Sequence, residues 1–273
     1  MGIRDIYYKL QPKGLGRDAF EDICREEGLM IERPRNLRRT TDSTGVIRFD
    51  DHTIGLKVVR INQLWQSDIT YYELGERFYY ITLIQDNFSK MIVGHSVSDD
   101  LTMLKTTHAA LLVAVSNRKG AGLKGLILHS DGGGQYYAKE FLKLTHKLNI
   151  VNSMCTYSWE NGMAERLNGV IKNNYLKHRN IKLFSQLVKE VDRTVELYNF
   201  EKPHSSLKRL TPNEFEKRIA KLQQQTKPKM TGSFDAKCQS IGASSPFRLK
   251  QTKPQNPGVI SANMTEALEL KLH

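Results

Sequence analysis

The sequence predicts an α/β protein, a mixed five-stranded sheet flanked by helices, with a small helical arm at its N-terminus. Three observations predict it. Residues 64–72, 78–86 and 90–98 are rich in aromatic and β-branched side chains, and the turn signals Leu74-Gly75-Glu76 and Asn87-Phe88-Ser89-Lys90 join them into an antiparallel meander. Two short apolar runs, 126–128 and 150–154, then alternate with stretches of helical period. The resulting order, β-β-β-α-β-α-β-α-α, requires a sheet whose faces are covered by helices.

Taken in order, residues 3–10 and 17–27 read as two short helices, with Pro12, Gly14 and Gly16 marking the turn between them and Gly28 the stop. Phe20, Ile23 and Cys24 line one side of the second. Residues 1–35 are thus expected to be a partial helix-turn-helix-like DNA-binding arm, either cut short at its N-terminus or a simple helical arm. A basic polar linker follows over 36–58, and the core is expected over 59–220. Within it, residues 103–118 carry helical period through Leu104, Thr107, Ala110, Leu111 and Ala114, and Gly120 to Gly125 break it. Leu126-Ile127-Leu128 suits a strand buried on both faces and ends in His129-Ser130-Asp131-Gly132-Gly133-Gly134. A helix is expected over 138–148, another from about Asn161, which can cap it, and a further one over 184–199. The run from Tyr198 to Pro212 reads as an extended segment closing the fold. Residues 221–273, rich in Lys, Gln, Ser, Thr and Pro, read as a flexible basic tail.

Composition narrows the function. The net charge of +12 suits a protein that meets a polyanion, nucleic acid being the commonest. The absence of a long apolar run or signal-like N-terminus predicts a soluble, cytoplasmic protein with no membrane contact. Cys24, Cys155 and Cys238 are too few and too far apart for a disulfide framework or a Cys-x-x-Cys zinc site, and are expected to be reduced.

Three carboxylates carry the chemistry. Strand alternation puts Gln66, Asp68 and Thr70 on one face, so Asp68 interrupts a strand otherwise fit for burial and needs pairing, hydrogen bonds or a metal. Asp131 sits at the carboxyl end of the 126–128 strand, where ligand sites of open sheets gather. In the helix after Asn161, Ala164, Leu167, Ile171 and Tyr175 form an apolar stripe, leaving Glu165, Asn168 and Lys172 on the opposite face. Glu165 and Lys172, seven residues apart, then point the same way at about 10 Å along the axis. Converging, the three acids suit one or two hard cations, Mg²⁺ or Mn²⁺, which can drive in-line displacement at phosphorus. Asp86 is a rival for Asp68, but its place before a tight turn favours turn capping; Glu160 rivals Glu165 but precedes the helix. The three consecutive glycines lack the Lys-Ser/Thr of a nucleotide-binding loop.

These pieces resemble the bacterial insertion-sequence transposases of orfB type, whose catalytic core is like that of retroviral integrases. The resemblance rests on Trp65-Gln66-Ser67-Asp68-Ile69-Thr70-Tyr71, Asp86-Asn87-Phe88-Ser89-Lys90-Met91-Ile92-Val93-Gly94, His129 through Tyr136, Glu160 through Gly169, and Tyr198-Asn199 with Pro203-His204. It covers residues 60–215. Thirty-four positions separate Asp131 from Glu165, slightly fewer than is usual in that family. The resemblance implies a ribonuclease-H-like fold and an Asp-Asp-Glu triad of Asp68, Asp131 and Glu165 that is both catalytic and metal-binding, with two Mg²⁺ or Mn²⁺ ions. It also implies a place beside transposon-end DNA for Lys172, with Arg166 and Asn168 as further DNA-binding residues. The implied reaction is nicking at a transposon end followed by strand transfer. Expected partners are transposon-end and target DNA, further copies of the chain on that DNA, and a helix-turn-helix protein from an upstream frame; when DNA-bound the chain would associate with the nucleoid. Two other readings are a DNA-binding remnant without turnover and a simple nuclease of the same fold.

Overall fold

The computed structural model describes residues 1–31, 49–119, 122–155 and 161–226. The chain divides into a unit spanning Met1–Glu216 and a second beginning at Lys217, of which only the stretch to Thr226 is described. Most of the expected linker and nearly all of the expected tail, with Cys238 and Glu160, lie outside the described residues.

Helices α1 (Ile3–Leu10) and α2 (Arg17–Glu26) stand where two short helices were expected. Gly28, at φ 67°, ends α2. Cys24 is buried, but Ile23 is 48% exposed, so the expected apolar side of α2 is narrower than its sequence indicates.

The meander is β1 (Leu64–Leu74), β2 (Arg77–Asp86) and β3 (Ile92–Ser98). Gly75 takes φ 63° in the two-residue turn between β1 and β2, a conformation a Cβ would strain. The chain then crosses over through α3 (Ala109–Asn117) to β4 (Ile127–Ser130), and through α4 (Lys139–Lys147) to β5 (Val151–Met154). The sheet order is β3-β2-β1-β4-β5; β1 pairs antiparallel with β2 and parallel with β4. β1 is therefore central.

Alternation along the strands sends side chains into two cores. Trp65, Ile84, Val93 and Leu128 pack with Ala110, Leu111 and Phe141 of α3 and α4. Ile81, Leu83 and Ile92 pack with α5 (Gly162–Asn174) and α6 (Phe184–Glu201) through Leu167, Ile171, Leu187 and Val191. The two strand sets have opposite parity, so the sheet lies between two helical layers. β3 and α3 approach so closely that a Cβ on Gly94 would lie 2.3 Å from the Ala110 carbonyl oxygen.

Three expectations are corrected. The helix expected over 103–118 opens with a π turn at Leu104–His108, where the Thr106 hydroxyl donates to the Thr102 carbonyl at 2.7 Å and disturbs the regular ladder. The extended run expected from Tyr198 begins only after α6 ends at Glu201, and Tyr198 and Asn199 belong to that helix, as its expected span of 184–199 had it. Asn199 pairs with both backbone groups of Ile92 at 2.9 Å, and Tyr198 accepts a bond from Gln85 at 2.8 Å, so this motif fastens α6 to the sheet. Finally, the chain forms α7 (Pro212–Thr226) over residues 213–220, for which no element was expected, and on into the first residues of the expected tail. Its signal is legible: the Thr211 hydroxyl accepts from the Glu214 amide at 3.2 Å, and the Glu214 carboxylate accepts from the Thr211 amide at 2.9 Å. That is a capping box with Pro at the first helical position. No described helix is long and apolar enough to cross a membrane.

Candidate active site

Strand register builds the first half of the site. β1 and β4 run parallel with Gln66 opposite His129. Continued by two residues, the same register sets Asp68 beside Asp131, on the same face because the side-chain period is two. Asp131 lies just past the end of β4, where the chain turns into a short 3₁₀ helix at Gly134–Tyr136, and its Oδ1 accepts from the Gly133 amide at 3.2 Å. A Cβ on Gly133 would stand 3.1 Å from that same oxygen, a close side-chain contact.

Helix α5 supplies the rest. Asn168 is 5% exposed and its Nδ2 donates to Asp68 Oδ2 at 2.8 Å; the other carboxylate oxygen accepts from the Ile69 amide at 2.9 Å. Glu165, one turn earlier, is in the first turn of α5 and exposed. Lys172 lies two turns beyond Glu165, and its ammonium donates to the Tyr71 carbonyl at 3.3 Å. The face of α5 opposite its apolar stripe therefore packs in part against β1. Arg166 is exposed. Asn161 precedes α5 as expected, but its side chain does not cap the helix; its Nδ2 donates instead to the Ser67 carbonyl at 3.1 Å.

Electrostatics set Asp68 apart. Burial, then the charges of Asp131 and Glu165, push its carboxyl up to about 7 against the opposing bonds from Ile69 and Asn168. Burial also raises the Asp131 carboxyl, with the Gly133 amide acting in the other direction. The Lys172 amine is lowered by burial and held up by Asp68. Asp86, the rival, is fully buried and caps its turn: Oδ1 accepts from the Phe88 and Ser89 amides at 2.9 and 3.0 Å, and Oδ2 from the Asn62 amide at 2.7 Å.

The donor set of Asp68, Asp131 and Glu165 offers only carboxylate oxygens, the chemistry a hard divalent cation selects. Among the described residues no three His, Cys, Asp or Glu side chains already stand as a closed ligand set, and Glu165 is the exposed member of the three acids. Asp68 nonetheless fits a cation: its carboxyl is raised first by burial and then by the charges of Asp131 and Glu165, and that negative charge is what a cation would neutralise.

Two models of the integrase core domain match the chain, one over residues 59–157 and the other over 146–212. The transposase for insertion sequence element IS629 of Shigella sonnei is 27% identical over 224 residues, covering 79% of this chain and 73% of that protein. The chain belongs to the integrase core family, among the insertion-sequence transposases. Its five-stranded mixed sheet, from Leu64 to Met154, lies within the residues that the first model matches. An uncharacterized 31 kDa protein of insertion element IS600, also from Shigella sonnei, is 26% identical over 228 residues, 81% of this chain and 83% of that one. The putative transposase for IS986/IS6110 of Mycobacterium tuberculosis is 29% identical over 185 residues, 64% of this chain and 66% of that one. Among solved structures, the HTLV-2 integrase catalytic core domain in complex with magnesium aligns with a TM-score of 0.44 at 24% identity, over 57% of this chain and 96% of that one. The simian T-cell lymphotropic virus intasome in complex with a PP2A regulatory subunit aligns with a TM-score of 0.48 at 14% identity, over 92% and 81%.

Sequence reasoning missed three residues of this integrase core site. Ser67 and Tyr136 are joined by a buried hydroxyl pair at 2.8 Å, and Asn161 meets the Ser67 backbone. Ser67 and Tyr136 stand within the motifs that carried the resemblance, but nothing in their spacing marks them as partners.

Proposed function

We propose that this transposase cuts DNA at the ends of its element and joins the freed strand to a target, at a divalent-cation site made by Asp68, Asp131 and Glu165. The observation that carries the reading is the β1–β4 register, which, continued by two residues, sets Asp68 in the middle of β1 beside Asp131 just past the carboxyl end of β4. Asp68 and Asp131 would hold Mg²⁺ or Mn²⁺ from the sheet, and Glu165 from α5. Two such ions supply activation of a water or 3′ hydroxyl and charge stabilisation at the leaving oxygen.

The chain's own side chains do the rest by positioning. Asn168 fixes the rotamer of Asp68 through its amide. The exposed Arg166, next to Glu165, offers a guanidinium to a backbone phosphate, and Lys172 lies two turns along the same helix. The net charge of +12 supports a DNA partner. Holding two ends at once calls for more than one copy of the chain on the DNA, and a helix-turn-helix protein from an upstream frame is a further proposed partner.

The test is incubation of a labelled duplex bearing the element's own end with Mg²⁺ or Mn²⁺ and either the native chain or Glu165→Gln. Nicked and joined products from the native chain alone, with equal DNA binding by both, are expected. Products that persist in the variant, or hydrolysis without joining, would overturn the assignment.

A further inference from the structure

Ser67 touches both segments that flank Asp68. Its hydroxyl is paired with that of Tyr136 at 2.8 Å; the two residues are 1% and 3% exposed. Tyr136 ends the short turn that begins at Asp131, its amide bonded to the Gly133 carbonyl at 3.0 Å and its ring set edge-on to Phe141 at 5.8 Å. That turn is held from the other side by Gln135, whose amide donates to the Leu101 carbonyl at 3.1 Å and whose carbonyl accepts from Thr107 at 3.2 Å. The Ser67 carbonyl, meanwhile, accepts from Asn161, which is 1% exposed, and the Asn161 carbonyl accepts from the Glu165 amide at 3.1 Å.

We propose that Ser67, Tyr136 and Asn161 form a positioning node that sets the spacing of the three acids from behind. Each bond joins one acid-bearing segment to the residue next to Asp68: Tyr136 fixes the Asp131 turn, and Asn161 fixes the first turn of α5 with Glu165. None of the three is placed among the cation's ligands. They act through the backbone and rotamers of those that are, as outer partners of metal sites do. The proposal rests on the reading that Asp68, Asp131 and Glu165 hold the cation.

Tyr136→Phe tests it, because the ring and its packing stay while the hydroxyl goes. Mn²⁺ binding to the full chain without DNA, followed by electron paramagnetic resonance, is measured beside kcat and KM on the duplex end and the metal-free melting temperature. Tyr136→Phe is expected to weaken Mn²⁺ binding on the order of ten-fold. It should lower kcat with KM for DNA unchanged. Ser67→Ala should do the same, and the double variant no worse than either single one, as for two partners of one bond. Native Mn²⁺ affinity and kcat in Tyr136→Phe, whatever its melting temperature, overturn the node. Asp68→Asn separates the two readings: if it abolishes Mn²⁺ binding while Tyr136→Phe changes nothing, only the node fails. If Asp68→Asn binds Mn²⁺ as the native chain does, the cation site itself is wrong and the node falls with it.

Discussion

The Asn168 side-chain amide donates to the Asp68 carboxylate at 2.8 Å, from a helix position expected to meet DNA. The bond ties α5 to the central strand through the most perturbed carboxyl of the site. Asn168→Ala removes a bond to a charged group, worth about 1.5–3 kcal/mol, and is expected to slow cleavage roughly ten-fold or more. DNA-end binding, followed by anisotropy, should be unchanged.

Arg166→Ala should behave in the opposite way. An exposed cation next to Glu165 in the chain would contribute phosphate contact, so the variant is expected to bind all duplexes more weakly, with a salt slope shallower by about one. A gel-shift series in rising KCl reads both. Undiminished binding would remove Arg166 from the interface.

Asp68→Asn is expected to stabilise the metal-free chain at pH 8 while abolishing turnover. The folded carboxyl titrates at about 7 and the unfolded one at 3.8, so as pH rises across that window the folded chain alone retains the proton and stability falls. Above it the variant lacks that cost and should gain about 1–3 kcal/mol in urea denaturation.

His204 carries the opposite dependence. Burial, then the charges of Lys202 and Lys90, lower its ring to about 3, and its Nε2 is buried without a hydrogen-bond partner among the described residues. The unfolded chain takes up a proton below the ordinary value of 6.5 and the folded chain does not. Stability present above 6.5 is therefore lost as pH falls, by about 2 kcal/mol between pH 7 and pH 5. Denaturation of the native chain and His204→Gln at both pH values should show a difference of that size, absent in the variant.

Gly94→Ala is expected to cost about 1–3 kcal/mol and to lower the melting temperature without touching the site. Its Cβ would meet backbone, the Ala110 carbonyl at 2.3 Å, rather than a side chain able to move aside. An unchanged melting curve would mean β3 and α3 separate more easily than their packing indicates.

Much of this protein was determined by its sequence alone. Period-two runs joined by Gly75 and the Asn87–Lys90 turn specified the meander, because local sterics and side-chain alternation act over a few residues. An acid in the middle of an apolar strand, Asp68, and another at a strand end, Asp131, marked themselves by the cost of burying them. The Thr211–Glu214 capping box was equally local, and α7 was readable from it. Only the tertiary structure decided that β4 lies beside β1 in the register that joins Asp68 to Asp131, that Asn168 and Asn161 turn inward to β1, and that Ser67 meets Tyr136 sixty-nine positions away. Such contacts depend on which surfaces meet after the helices close over the sheet. Buried polar groups then take whichever partner that closure supplies, and no spacing along the chain encodes the choice.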